Sequence, residues 1–305
     1  MNKYEKQINE LKNEYDEAYN EYTKEIGKAY REAQTHCLKY NDQINRINAT
    51  KDNLLEGISV LHKFLRRIGT IDKNITPFDY VAESSRFVDK EVLNSSRFDN
   101  ERYSTSAFVK TASVAAIVTA PAILPAIWVG DTFVKRSKDK KELTRMTIEL
   151  EEERNKWEKE VEDKKGEAEF YKDAAQIAFL YQSLILTVRQ AIKETILPEL
   201  IGIEAFLTAE AIKNSIISDM NPNEAEIPHI DLYKDTVYDC HYTFVMNAFD
   251  YYNTIVKIFT TPILTNIVSD NRVTDEEKRD FEQKCKMIEA KTHGLAQETV
   301  FGGDN

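Results

Sequence analysis

Apolar residues return every three or four positions from Tyr4 onward, through Ile8, Leu11, Tyr15, Ala18, Tyr22, Ile26, Ala29, Ala33, Cys37, Tyr40 and Ile44 to Ile47. Twelve such steps cover 43 residues, about 3.6 each, which is the period of one face of an α-helix. Leu54, Ile58, Leu61, Leu65 and Ile68 continue the stripe to Gly69, a residue suited to end a helix. Tyr and Ala dominate the seam, which favours packing against other helices of the same chain over a leucine-type zipper.

Beyond Gly69 the pattern changes several times. Asn74-Ile-Thr-Pro77 reads as a connection, and a shorter helix is predicted over roughly 80–102. Thr111 to Gly130 then runs twenty residues without a charge, and a basic cluster follows at Lys135, Arg136, Lys138, Lys140 and Lys141. Helical spacing resumes near Thr144. Residues 149–165 are dense in charge, with Met146, Leu150, Trp157 and Val161 as a sparse inner side. Ala174 to Val188 is a second uncharged stretch, of fifteen residues, which predicts a helix buried within a bundle. Pro198 and Gly202 predict a kink or break before a helix over 203–217.

Residues 221–228 form the clearest loop, and an aromatic-rich helix is predicted from about Leu232 to Phe259. Thr274 followed three residues later by Glu277 has the spacing of a capping box and predicts the start of a last helix. The Gly302-Gly-Asp-Asn305 tail is expected to fray. No alternating strand pattern bounded by turn residues occurs. The expected fold is therefore all-α: an elongated, coiled-coil-like bundle of long helices with a central apolar segment or hairpin. One helical unit over 1–305 is expected. It comprises a long amphipathic helix (1–70), an apolar head region with its flanks (80–134), a long helix pair (135–220), C-terminal helices (229–295) and a tail (296–305).

Composition narrows the function classes. The chain has 305 residues, 42% hydrophobic and 30% charged, with only 9 Gly and 7 Pro to make turns. A formal net charge of −11 argues against a general nucleic-acid binder, whose phosphate contacts need clustered Lys and Arg. The first ten residues carry no apolar h-region, so the expectation is a soluble protein, cytoplasmic or exported by an unconventional route. Cys37, Cys240 and Cys285 are odd in number and widely spaced, which gives no disulfide framework.

Catalytic and metal signatures are weak. His36, His62, His229, His241 and His293 are scattered without metal-ligand spacing. His36-Cys37 and Cys240-His241 are sequence neighbours, which point in different directions on a helix and so disfavour a dyad. Phosphate-loop, dinucleotide and serine-hydrolase motifs do not occur. Glu226-Ile-Pro-His229 has the Glu-x-x-His spacing of a di-metal bundle, but it lies in a proline-bearing loop and has no counterpart. Neither an enzyme, a cofactor nor a metal is expected.

The uncharged run has three readings: a buried helix or hairpin of the core, a constitutive single transmembrane helix, or a segment hidden in one form and inserted in another. As a helix, twenty residues reach about 30 Å, the thickness of a hydrocarbon core. Pro121 and Pro125 interrupt it. Each removes an amide donor and crowds the carbonyl four residues back, at about 3 kcal/mol in a helix interior in water. They suit a bend between two arms, Ala112 to Ala120 and Ala126 to Val134, each about 14 Å long. Val114, Ile117, Val118, Pro121, Ile123, Leu124, Pro125, Ile127 and Trp128 are the candidate membrane contacts, with Pro121 and Pro125 shaping the bend. Lys135, Arg136 and Lys138 are the candidate headgroup contacts.

Thr111 to Gly130 between the amphipathic helix of residues 4–68 and the charged helix after Lys135 resembles the α-helical pore-forming toxins. That group is typified by cytolysin A and includes the haemolysin BL type and the two-component α-xenorhabdolysins of bacteria. The resemblance lies in architecture and hydropathy. It implies an apolar head that packs against the bundle before assembly and enters the membrane on assembly. A lipid membrane and a homo- or hetero-oligomer with a second component are the partners it implies, with haemolysis as the outcome. The alternative is a non-lytic intracellular coiled-coil protein anchored to a membrane or partner through the same segment. A third possibility is a scaffold that touches no lipid.

Overall fold

The computed structural model describes residues 3–68, 140–218, 226–259 and 273–301, with Ile75, Pro77 and Asn221. The described residues form α1 (Lys3–Ile68), α2 (Lys140–Gln190), α3 (Leu197–Ile217), α4 (Asp239–Phe259) and α5 (Asp275–Gln297), and contain no strand. The fold is all-α, as the periodicity predicts. The chain divides into two compact units, residues 1–39 with 93–172 and residues 40–92 with 173–305.

In the first unit the early part of α1 lies along α2. Tyr22, Ile26 and Trp157 form its buried centre, and Tyr15, Ala18, Tyr19 and Val161 pack around them. The Trp157 indole stacks on Tyr22 at 5.3 Å between centroids and meets Tyr15 edge-on at 5.4 Å. Polar contacts flank this core. The Tyr22 hydroxyl donates to Glu160 Oε2 at 2.7 Å, Lys165 Nζ to Glu25 Oε2 at 2.8 Å, and Arg154 Nη2 to the Glu14 carbonyl at 3.4 Å. Partner numbers rise together, with separations of 138 to 140 residues, so α1 and α2 run parallel.

The second unit shows the same sense, with position 57 of α1 beside Ile192 and Arg67 beside Glu204. Its almost fully buried residues include Ile44, Ile47, Ile58, Leu61 and Leu65 of α1, Phe244, Phe249, Tyr251 and Tyr252 of α4, and Phe281 and Ile288 of α5. The His62 ring of α1 lies 5.7 Å from that of Tyr252, and Tyr181 of α2 stacks on Phe281 at 5.9 Å. Arg67, near the end of α1, donates to Glu204 of α3 at 2.8 Å, a separation of 137 residues. α4 and α5 run antiparallel, with Tyr251 bonded to Thr292 at 3.1 Å and Asn247 bonded to Glu298 at 2.7 and 2.9 Å. The predicted capping box at Thr274 is formed. Glu277 N donates to Thr274 Oγ1 at 3.2 Å, and Thr274 N donates to Glu277 Oε2 at 2.9 Å.

Three expectations change. First, the helix does not break at Pro198 or Gly202. Ala191–Ile196 is a π turn, and α3 then runs unbroken from Leu197 to Ile217 with Pro198 in its first turn. A proline at 198 donates no hydrogen bond and crowds the carbonyl four residues back. Widening the preceding turn, with Leu197 N bonded to the Ile192 carbonyl five residues earlier, relieves that demand without ending the helix. Secondly, Ala174–Val188 buries one face rather than its whole circumference. Phe179 is 57% exposed and Leu186 is 43% exposed, in line with Gln176 and Ser183. Absence of charge does not mean absence of solvent. Thirdly, the aromatic helix starts at Asp239, not near Leu232. A 3-10 turn occupies Ile230–Tyr233, and Asp235 has φ of 59°, a left-handed conformation that a helix does not accept but Asp tolerates. Its amide donates to Asp239 Oδ1 at 2.8 Å.

Trp157 is the sole aromatic residue on the charge-dense part of α2, and it is buried. Trp157→Ala leaves Tyr15, Tyr19 and Tyr22 without a common partner and is expected to cost about 3–5 kcal/mol. The check is urea unfolding followed by far-UV circular dichroism; a midpoint equal to that of the parent chain would contradict this assignment of the core.

Candidate functional site

The candidate membrane contacts (Val114, Ile117, Val118, Pro121, Ile123, Leu124, Pro125, Ile127, Trp128) and headgroup contacts (Lys135, Arg136, Lys138) lie outside the described residues, as do the shorter helix predicted over 80–102 and the Gly302–Asn305 tail. What the structure supplies is their frame. α1 ends at Ile68 and α2 begins at Lys140, ten residues after Gly130. Among the described residues, no helix is long and apolar enough to cross a membrane.

Neither cysteine–histidine neighbour pair forms a dyad by position. Cys37 is buried and His36 half-buried; Cys240 is exposed and His241 buried. Burial pushes the Cys37 and Cys285 thiols up to about 11, away from the reactive thiolate. Among the described residues, no group of three or more His, Cys, Asp or Glu side chains is arranged to hold a metal ion. An open groove of about 740 Å³ at the end of α1 is lined by Ser59, His62, Lys63, Arg66, Arg67, Ile75 and Pro77. Arg66 and Arg67 sit in the last helical turn, where cations complement the helix dipole, and Arg67 is held by Glu204.

The most constrained polar site is one that the hydrophobic pattern does not single out. Glu199, in the first turn of α3, is completely buried. Its two oxygens accept backbone N–H bonds from consecutive residues far along the chain, Val300 to Oε1 at 2.9 Å and Phe301 to Oε2 at 2.8 Å. Each amide is thereby given an ionisable acceptor in a water-poor place, the stronger class of hydrogen bond. The Phe301 ring lies over Gly202 and stacks on His241 at 5.2 Å, 11° from parallel. A Cβ at position 202 would come within 2.5 Å of that ring. Gly202 is therefore a seat for Phe301 rather than a helix break.

Around His241 the aromatic wall continues with Phe206 at 5.0 Å and Tyr238 at 6.3 Å. Burial lowers the His241 pKa, and the Glu199 carboxylate opposes that effect without reversing it. Its Nδ1 is buried with no hydrogen-bond partner among the described residues. Two features of the sequence point here. Glu199 falls between the inward residues Ile196, Leu200 and Ile203, an expensive position for a carboxylate without partners. Phe301 is a large aromatic residue immediately before the Gly302–Asn305 tail, which is expected to fray.

Comparison with family models, with curated proteins and with solved structures finds no match for this chain.

Glu199→Ala strands two amides and is expected to cost about 2 kcal/mol. Gly202→Ala forces the Phe301 ring from its seat and is expected to cost about 1–3 kcal/mol. Denaturant midpoints test both. Because the two changes act on one contact, the double variant should lose clearly less than the sum.

Proposed function

We propose that this chain is a membrane-active helical protein, a pore-forming component that shelters residues 111–130 in one form and inserts them into a bilayer in another. The observation that carries this reading is the position of the uncharged run within the connection between two parallel, touching helices. A single crossing would put its two flanks on opposite faces of the membrane. The contacts Tyr22–Glu160 and Lys165–Glu25 hold α1 and α2 side by side, which favours both flanks on one face. A second crossing has no sequence to make it. Residues 69–110 contain no uncharged run longer than seven, and residues 131–139 hold Asp131, Lys135, Arg136, Lys138 and Asp139. This argues against a constitutive single span and favours an in-and-out bend, for which Pro121 and Pro125 are suitably placed.

Energetics shape the rest of the proposal. Each arm of such a bend is about 14 Å long as a helix and enters only about half of a 30 Å hydrocarbon layer. Backbone groups freed by the prolines need partners at that depth, because lipid tails supply none. Neighbouring copies, or a second component, supply them on assembly. Val114, Ile117, Val118, Ile123, Leu124, Ile127 and Trp128 then face lipid. Lys135, Arg136 and Lys138 meet anionic headgroups at about 1 kcal/mol each near the surface.

Flotation with liposomes, paired with release of an entrapped dye, tests the proposal. The parent chain should float and release dye, alone or with its second component. Ile123→Asp should abolish both while far-UV helicity stays unchanged. Leakage by that variant at the parental rate would refute insertion of the run, and flotation without leakage under every condition would leave an anchor in place of a pore.

A further inference from the structure

The Glu199 site joins the end of the chain to the first turns of α3, and its chemistry suits a contact that opens. Val300 and Phe301 are each about half exposed, so little apolar burial holds them. Three things do: two amide bonds to one carboxylate, a ring seated over a glycine, and a stack on one imidazole. Behind them, α5 ends firmly. The Glu298 amide donates to the Leu295 carbonyl at 3.2 Å, and both Glu298 carboxylate oxygens accept from Asn247 Nδ2. Residues 299–301 can therefore lift while the helix stays docked.

We propose that Thr299–Phe301 is an acid-released strap, closed over Gly202 and His241 by Glu199 and opened when His241 takes up a proton. Among the described residues, the groups that face the imidazole are Glu199 and Phe206 of α3, Tyr238 just before α4, and Phe301 of the strap itself. Glu199 is the sole charged member of that set. A proton on His241 has two available responses, and both weaken the strap. If the imidazolium stays where it is, a buried charge carries an N–H at Nδ1 that has no acceptor among the described residues, a cost relieved by lifting Phe301 to admit water. If Glu199 turns towards the new charge, Val300 and Phe301 lose their acceptor.

The direction of the pH effect comes from burial. His241 in the closed site holds its proton more weakly than a solvated histidine does. Across the interval between those two affinities, the open form binds a proton and the closed form does not. Lowering the pH below about 6.5 therefore drives opening, and raising it restores closure. Opening uncovers Gly202, Phe206 and the His241 ring. This inference does not depend on membrane insertion.

Amide hydrogen exchange of the full chain, corrected for the intrinsic effect of pH, tests it. Protection of the Val300 and Phe301 amides should fall severalfold, towards a ceiling of about tenfold for one titrating histidine, between about pH 7.5 and pH 5.5, while amides of α4 and α5 keep theirs. His241→Phe preserves the stacked ring and removes the proton site, so its protection should be the same at both values. Phe301→Ala, which alters a half-exposed side chain and leaves the core intact, should be unprotected at both. Equal protection of the parent chain at the two pH values would overturn the proposal, as would an undiminished pH response in His241→Phe.

Discussion

The parallel pairing of α1 with the helix that begins at Lys140 dictates how the chain between them must travel. Two consecutive helices that run antiparallel need only a short loop. Two that run parallel need a connection that leaves at one end and returns to the other. Residues 69–139 are that connection, and they contain the longest uncharged run in the sequence. In sequence, the apolar segment lies within this connection between the two paired helices. Within the proposed function, this constraint favours a bent insertion over a simple span, a choice that hydropathy leaves open.

What fixes the parallel sense is modest in each instance and consistent throughout. An aromatic patch around Trp157 supplies most of the apolar contact along the charge-dense part of α2. Lys165–Glu25 is about half exposed and contributes little by itself. The Tyr22–Glu160 and Arg154–Glu14 contacts bracket the same ring cluster and share its register. In the opposite sense, Trp157 would still find apolar residues on α1, but these polar partners would not fall into step. Register here is a matter of several weak contacts agreeing with one strong one.

Much of this was legible in the sequence. The 3.6-residue period located α1 to within a residue at its C-terminal end, and nearly every seam position beyond Ala18 is buried. The Thr274–Glu277 spacing marked the start of α5, because a capping box is a local arrangement that needs no tertiary partner. Direction was not legible, since a hydrophobic stripe reads the same for a parallel neighbour as for an antiparallel one. The role of Gly202 was not legible either. A glycine is needed there because of Phe301, far along the chain, and only folding brings the two together. Nor could an uncharged stretch reveal that Phe179 and Leu186 face outward, because burial is set by the helical face and not by the composition.

Pro198, Glu199 and Gly202 are better understood as one unit than as three separate features. Proline in the first turn of α3 goes with a π turn immediately before it, and that turn carries one extra residue relative to an α-helix. One extra residue rotates the downstream helix by about 100° relative to an uninterrupted one. Glu199 and Gly202, three residues apart, then share a side of α3, one to accept the amides of the strap and the other to seat its ring. Without the wide turn, the same two residues would face a different direction and the strap would have neither acceptor nor seat. The irregularity that reads as a helix end is therefore the feature that aims the site. A proline that spoils one hydrogen bond is tolerated here because the rotation it accompanies creates two others.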